Sequence, residues 1–201
     1  MALHYPSLGL VRIEDPHEPR VELQLNPTLS LDSDKVASRA SHRQPKPPYD
    51  TIIVIDFGSQ YTPLIARRIR DAGVYSEIVS SETDSTILQS LNAGGIVLSG
   101  SEAGVHDTNA PELPPWVLDA GIPILGICYG MQLVTHTLGG SVGKATHREY
   151  GPATLNLIDQ TNPLFRKCRT VSRAWMSHAD KVLEPPPGFK RIAETEGSEC
   201  A

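Results

Sequence analysis

The sequence predicts an α/β domain with a doubly wound, mainly parallel sheet over residues 49–201, and three observations carry that reading. Thr51-Ile52-Ile53-Val54-Ile55-Asp56 is an unbroken, mostly β-branched run, the mark of a parallel strand buried on both faces. Further short apolar runs alternate with helical stripes at intervals that suit strand–helix–strand crossovers. Glycines and prolines punctuate the junctions.

Taken in order, the first strand is broken at Gly58. Thr62 is placed to cap a helix with Pro63 in its first position, and Leu64, Ile65 and Ile69 give that helix an inward stripe ending at Gly73. Val74 to Val79 reads as a second strand. A helix through Ile87, Leu88 and Leu91 closes at Gly94-Gly95, and Ile96 to Ser99 forms a third strand. A loop rich in Gly, Asn and Pro leads to a helix near Trp116 to Ala120. Pro123 to Ile127 is the fourth strand and runs at once into a helix over Gly130 to Leu138. Trp175-Met176 reads as core, and Pro185-Pro186-Pro187-Gly188 as a turn between strand-like segments. Sheets of this kind bind ligands beyond the carboxyl ends of their strands, where Asp56, Ser99-Gly100 and Cys128 all fall.

Composition bounds the rest. A chain of 201 residues with 39% hydrophobic and 20% charged side chains is long enough for one sizeable core. Residues 1–48 hold seven of the 17 prolines and one glycine, and their six basic and six acidic side chains cancel. They read as a disordered or weakly structured extension closed by the stiff linker Gln44-Pro45-Lys46-Pro47-Pro48, with Val21 to Leu25 alternating like a strand suited to a sheet edge. The net charge of −5 therefore falls on residues 49–201, which argues against nucleic acid or an anionic membrane as a partner. No secretory leader or membrane-length apolar run is visible. Three cysteines, at 128, 168 and 200, make neither a disulfide framework nor a metal site and predict a reducing, cytoplasmic setting. Arg67-Arg68-Ile69-Arg70 reads as a solvated helix face. No phosphate-cradling glycine loop occurs, so no cofactor is expected in this chain.

Chemistry centres on Gly126-Ile127-Cys128-Tyr129-Gly130-Met131-Gln132. A buried strand delivers a cysteine to a tight turn flanked by glycines two before and two after, in the form of a nucleophile elbow. The following helix points its N-terminus at the sulfur and favours thiolate, while the Tyr129 N–H is placed to hold an oxyanion. Gly100, at the end of the neighbouring strand, allows a second backbone N–H to approach the same point.

This segment resembles the nucleophile motif of class I glutamine amidotransferases, a flavodoxin-like fold. Asp56-Phe57-Gly58-Ser59-Gln60-Tyr61, Ala72 to Glu77, His147-Arg148-Glu149-Tyr150-Gly151 and Trp175-Met176-Ser177-His178 are similar to further segments of one branch of that family. In that branch the released ammonia converts XMP to GMP on an ATP-pyrophosphatase (synthetase) partner, which is where ATP and Mg are expected. The resemblance implies that Cys128 attacks the carboxamide of glutamine, that the Tyr129 amide and the loop starting at Gly100 hold the oxyanion, and that Gln132, Tyr150 and Gly151 hold the substrate's α-amino-acid end. His178 falls near the mouth of the site and is not the base.

Two departures accompany the resemblance. The family's Ser-Gly-Gly-Pro loop reads Ser99-Gly100-Ser101-Glu102 here, which removes a glycine from the oxyanion loop and brings a carboxylate toward the thiolate. The family's His-Pro-Glu acid–base pair, carried on its last strands, has no counterpart before Ala201, so those strands are expected to be missing and the chain alone is expected to be inactive. The alternative reading is a degenerate amidotransferase that binds glutamine or docks on a synthetase as a regulatory module.

Overall fold

The computed structural model describes residues 51–201. The expected extension over 1–48, with its strand over residues 21–25, lies outside the described residues. Four parallel strands form one sheet in the order β2-β1-β3-β4: β1 (Thr51–Asp56), β2 (Ser76–Ser80), β3 (Ala93–Leu98) and β4 (Ile124–Gly126). Helices α1 (Thr62–Asp71), α2 (Thr86–Leu91), α3 (Trp116–Asp119) and α4 (Tyr129–Thr137) connect or follow them.

The β-branched run is buried on both faces because alternate side chains serve two cores. Ile53 and Ile55 join Ile96, Leu98, Val117, Leu133 and Val134 on the side of α3 and α4. Val54 and Val97 pack with Ala66, Ile65 and Ile69 of α1 on the other. The mainly parallel, doubly wound architecture expected from the sequence is the one observed. Among the described residues no helix is long and apolar enough to cross a membrane.

Several local expectations are corrected. Thr62 is the first residue of α1 rather than its cap, because its hydroxyl donates to Asp56 Oδ1 at 2.7 Å, an oxygen that also accepts the Gly58 N–H at 2.9 Å. Asp56 thus ties the end of β1 to the start of α1. Helix α2 ends at Asn92, left-handed at φ 53°, and Gly94-Gly95 belongs to β3. The arginine cluster is partly structural: both Nε and Nη2 of Arg70 donate to the Ser76 carbonyl, fastening α1 to β2. Ala201 N–H donates to Ala193 O at 3.2 Å and Ser198 Oγ to Cys200 O at 2.8 Å, so the segment around Cys200 is tied down.

A second sheet was not anticipated. Strands β5 (Ser141–Leu157), β6 (Val171–Glu184) and β7 (Ala193–Glu194) form an antiparallel sheet in the order β6-β5-β7. Its inner face buries Leu155, Leu157, Ala174 and Ala193 with Met176 packed against them. Its outer face pairs Tyr150 with Ser177 and Pro152 with Trp175. Trp175 is 58% exposed, so it is not core as the sequence reading had it, although Met176 is. The turn over 185–188 lies between β6 and β7 as expected, with Phe189 N–H bonded to the carbonyl of Pro186.

These positions make opposite predictions for alanine. Leu98, fully buried between the sheet and α4, is expected to cost about 2–5 kcal/mol as Leu98→Ala, while Trp175→Ala is expected to stay within about 0.5 kcal/mol of the parent. Denaturant midpoints followed by circular dichroism check both, and a large loss for Trp175→Ala would contradict the exposed placement.

Candidate active site

Cys128 stands between β4 and α4 with φ 53° and ψ −112°, a conformation that costs a non-glycine residue on the order of 1–3 kcal/mol and persists only when its surroundings impose it. What imposes it is the close seating of α4. A Cβ on Gly126 would fall 2.5 Å from Met131 N, and one on Gly130 would fall 2.5 Å from the Leu98 carbonyl oxygen. Neither glycine takes a positive φ; they are needed for space, and the unusual backbone belongs to the cysteine itself. The Gly130 N–H donates to the carbonyls of both Ile127 and Ser99 at 3.0 Å, and the Ile127 N–H to Leu98 O at 2.9 Å, so elbow and β3 are stitched together.

Cys128 is partly covered by protein. The hydrogen-bond partner of its sulfur is the Ser177 carbonyl of β6, at 3.8 Å. Burial pushes the Cys128 thiol above its ordinary pKa, and the Tyr129 backbone N–H pulls in the opposite direction. The start of α4 therefore favours thiolate through the Tyr129 N–H, as expected, but burial outweighs it. Tyr129 itself is 1% exposed. Its hydroxyl donates to the Pro111 carbonyl and its ring lies 5.7 Å from that of Phe57, which immobilises the amide beside the sulfur.

Gly100 is at the nucleophile. A Cβ there would lie 3.8 Å from Cys128 Cβ and 3.4 Å from Ser59 Oγ. Among the described residues, positive φ at non-glycine positions is found at Asn92, Cys128 and Lys167, so Ser101 has an ordinary backbone conformation. Glu102 is exposed and is not among the groups that shift Cys128.

The remaining candidates gather through β6. Gln132, 5% exposed one turn into α4, donates from Nε2 to the Asp180 carbonyl at 2.8 Å, and its N–H bonds Cys128 O at 3.1 Å. Tyr150 pairs directly with Ser177, and Gly151, at φ 105°, with Met176. One carbonyl of β6 thus touches the sulfur, another holds Gln132, and the paired strand carries Tyr150 and Gly151 alongside. His106 and His136 are engaged with each other, ring centroids 5.1 Å apart, and His106 Nε2 bonds the Val142 carbonyl at 3.0 Å. The side chains of His147 and His178 are outside the described set. The carbonyls of Ser177 and Asp180 were missed from sequence, since any residue type supplies a carbonyl and only the register selects it.

Comparison with known proteins identifies relatives of the chain. A family model described as glutamine amidotransferase class-I matches residues 53–201. A glutamine-hydrolyzing GMP synthase of Thermomicrobium roseum is 46% identical over 164 residues, which are 82% of this chain and 31% of that protein. One from Nostoc punctiforme is 49% identical over 150 residues, 75% of this chain and 28% of its own. The chain thus spans under a third of the length of these curated relatives. A crystal structure from Thermoplasma acidophilum, described as one subunit of a GMP synthase, superposes with a TM-score of 0.60 at 29% identity and covers 75% of each chain. A glutamine amidotransferase from Thermotoga maritima shares the fold, with a TM-score of 0.55 at 19% identity over 74% of this chain and 68% of that one.

Thiolate is the form that iodoacetamide alkylates, so labelling of Cys128 is expected to rise with pH only above the range of a free thiol, about 8.5. Peptide-resolved mass spectrometry reads this with the exposed Cys168 as reference. A Cys128 midpoint below that range would show that the Tyr129 amide, not burial, governs the sulfur.

Proposed function

The chain belongs to the class-I glutamine amidotransferase family, and on that premise we propose that it carries the glutamine-accepting site of a GMP-forming synthase. The observation that carries this reading is the positive-φ cysteine at a strand–helix elbow, with the Tyr129 amide on its sulfur and Gly100 beside it. Cys128 loses its proton and its sulfur adds to the γ-carbonyl carbon of glutamine. The oxygen takes up the electron pair and is held by the Tyr129 N–H and by the peptide following Gly100. Collapse of the adduct breaks the C–N bond, and the nitrogen leaves as ammonia once it has gained a proton. Water then cleaves the γ-glutamyl thioester to glutamate and restores the thiol. Gln132, whose Nε2 is committed to Asp180, offers its carbonyl oxygen to the substrate's α-ammonium, and the backbone around Tyr150-Gly151 lines the same end.

Ammonia is consumed by an ATP-pyrophosphatase (synthetase) partner that aminates XMP to GMP in the cytoplasm, with ATP and Mg bound by that partner. The names and similarity of the curated relatives support this destination. Proton delivery is the weak step for the 201 residues by themselves. The sulfur's hydrogen-bond partner is a carbonyl, and the two histidines whose side chains are described are engaged elsewhere. General acid–base help is typically worth on the order of 10²–10⁴ in rate. That same observation favours the second reading, a glutamine-binding or synthetase-docking regulatory module.

A glutamine-mimicking diazoketone is expected to label Cys128 once, with no labelling in Cys128→Ala. Ammonia release from glutamine by this chain alone is expected near background. Absence of labelling would overturn the assignment of the site. Robust ammonia release abolished by Cys128→Ala would exclude the regulatory module and place the missing proton carrier within these residues.

A further inference from the structure

Ser99, the residue immediately after β3, is fully buried and uses every polar group it has. Its N–H donates to Ile55 O at 3.1 Å, extending the pairing with β1, and its carbonyl accepts from Gly130 N–H of α4 at 3.0 Å. Its hydroxyl oxygen accepts from Phe57 N–H at 3.1 Å, and its O–H donates to the Gly100 carbonyl at 3.2 Å. One side chain therefore links the exit of β1, the oxyanion loop and the elbow helix. The hydroxyl has a partner on each side.

The bond to Gly100 has a directional consequence. The described chain contains no cis peptide, and in a trans peptide the C=O and the following N–H point in opposite directions. Drawing the Gly100 carbonyl toward Ser99 therefore turns the Ser101 N–H away from Ser99. That peptide begins at a residue beside the nucleophile, since a Cβ on Gly100 would stand 3.8 Å from that of Cys128. Rotation of the peptide would exchange the donor for a carbonyl, which repels a developing oxyanion instead of binding it.

We propose that Ser99 is a positioning residue: its hydroxyl holds the Gly100–Ser101 peptide in the one direction that presents the Ser101 N–H as the second oxyanion donor to a substrate on Cys128. This rests on the reading of Cys128 as an acyl-accepting nucleophile.

The test separates reactions that form an oxyanion from one that does not. With the γ-(S-phenyl) thioester of L-glutamate, the Cys128 sulfur adds to the carbonyl carbon, its proton passes to solvent, and thiophenolate departs with the electron pair of the broken C–S bond. No proton carrier is needed for that leaving group. Iodoacetamide alkylates the same sulfur by displacement of iodide without any oxyanion. For Ser99→Ala the release of thiophenolate is expected to fall roughly 10- to 100-fold, with the iodoacetamide rate at Cys128 changed less than about twofold. Equal losses in both reactions would mean that Ser99 only holds the fold, and an unchanged thioester rate would also overturn the proposal. If the parent chain reacts with iodoacetamide but not with the thioester, the acyl-acceptor reading fails. Crystal structures of the parent and Ser99→Ala chains then decide the latch separately: it predicts a rotated Gly100 carbonyl in the variant, and an unrotated one overturns it.

Discussion

The contact of the first turn of α4 with the ends of β3 and β4 leaves no space for a side chain at two points, and most of the site follows from it. Gly130 is seated against the Leu98 carbonyl and Gly126 beneath Met131, and between the end of β4 at Gly126 and the start of α4 at Tyr129 the chain has two residues in which to reverse from strand to helix. Ile127 is held to β3 by its N–H, so the turn falls on Cys128, and the cysteine takes the left-handed φ. That conformation lifts the sulfur off the sheet and sets the Tyr129 amide beside it. The strain is stored where the chemistry is, and the buried cores on both faces of the sheet hold it there.

The antiparallel sheet completes what the parallel sheet begins. Strand β6 gives one carbonyl to the sulfur and another to Gln132, and its pairing with β5 brings Tyr150 and Gly151 to the same place. The cost is electrostatic. Covering the sulfur with protein raises the thiol's pKa, against the pull of the Tyr129 N–H. The thiol becomes a nucleophile when something accepts its proton. On the proposed reading the amides and the Ser99 latch form the electrophile-facing half of the site, while the hydrogen-bond partner of the sulfur is a backbone carbonyl rather than a proton-carrying side chain.

Legibility in the sequence tracked how local the determining interaction was. The run from Thr51 to Asp56 announced a doubly buried strand because both faces demand apolar side chains, and the glycines at 126 and 130 announced an elbow because no other residue fits there. Thr62 was misread as a cap because its competing acceptor, Asp56, lies across a turn that sequence spacing does not resolve. Asn92 took the left-handed position that Gly94 seemed to offer; asparagine tolerates it, and the following glycines were wanted in β3. The β5–β6 pair was hidden by its own exposed face. Trp175 and Tyr150 point outward where alternation would lead one to expect polar residues, and Pro152 sits mid-strand. Proline is tolerated there because β7 pairs only with Asn156 and Leu157, which leaves that side of β5 at Pro152 without a ladder to break. Ser99 looked like the last residue of a strand, and nothing in its neighbours along the chain betrays a hydroxyl shared between Phe57 and Gly100.

The central claim is that a strained cysteine and two backbone amides form a preorganised acyl-accepting site. The most direct measurement is a crystal structure of the chain carrying a γ-glutamyl group on Cys128. The account predicts Cys128 still at positive φ, with the thioester carbonyl oxygen within hydrogen-bond distance, about 3.2 Å, of the Tyr129 nitrogen. A carbonyl oxygen turned toward solvent, or a Cys128 relaxed to negative φ, would contradict it.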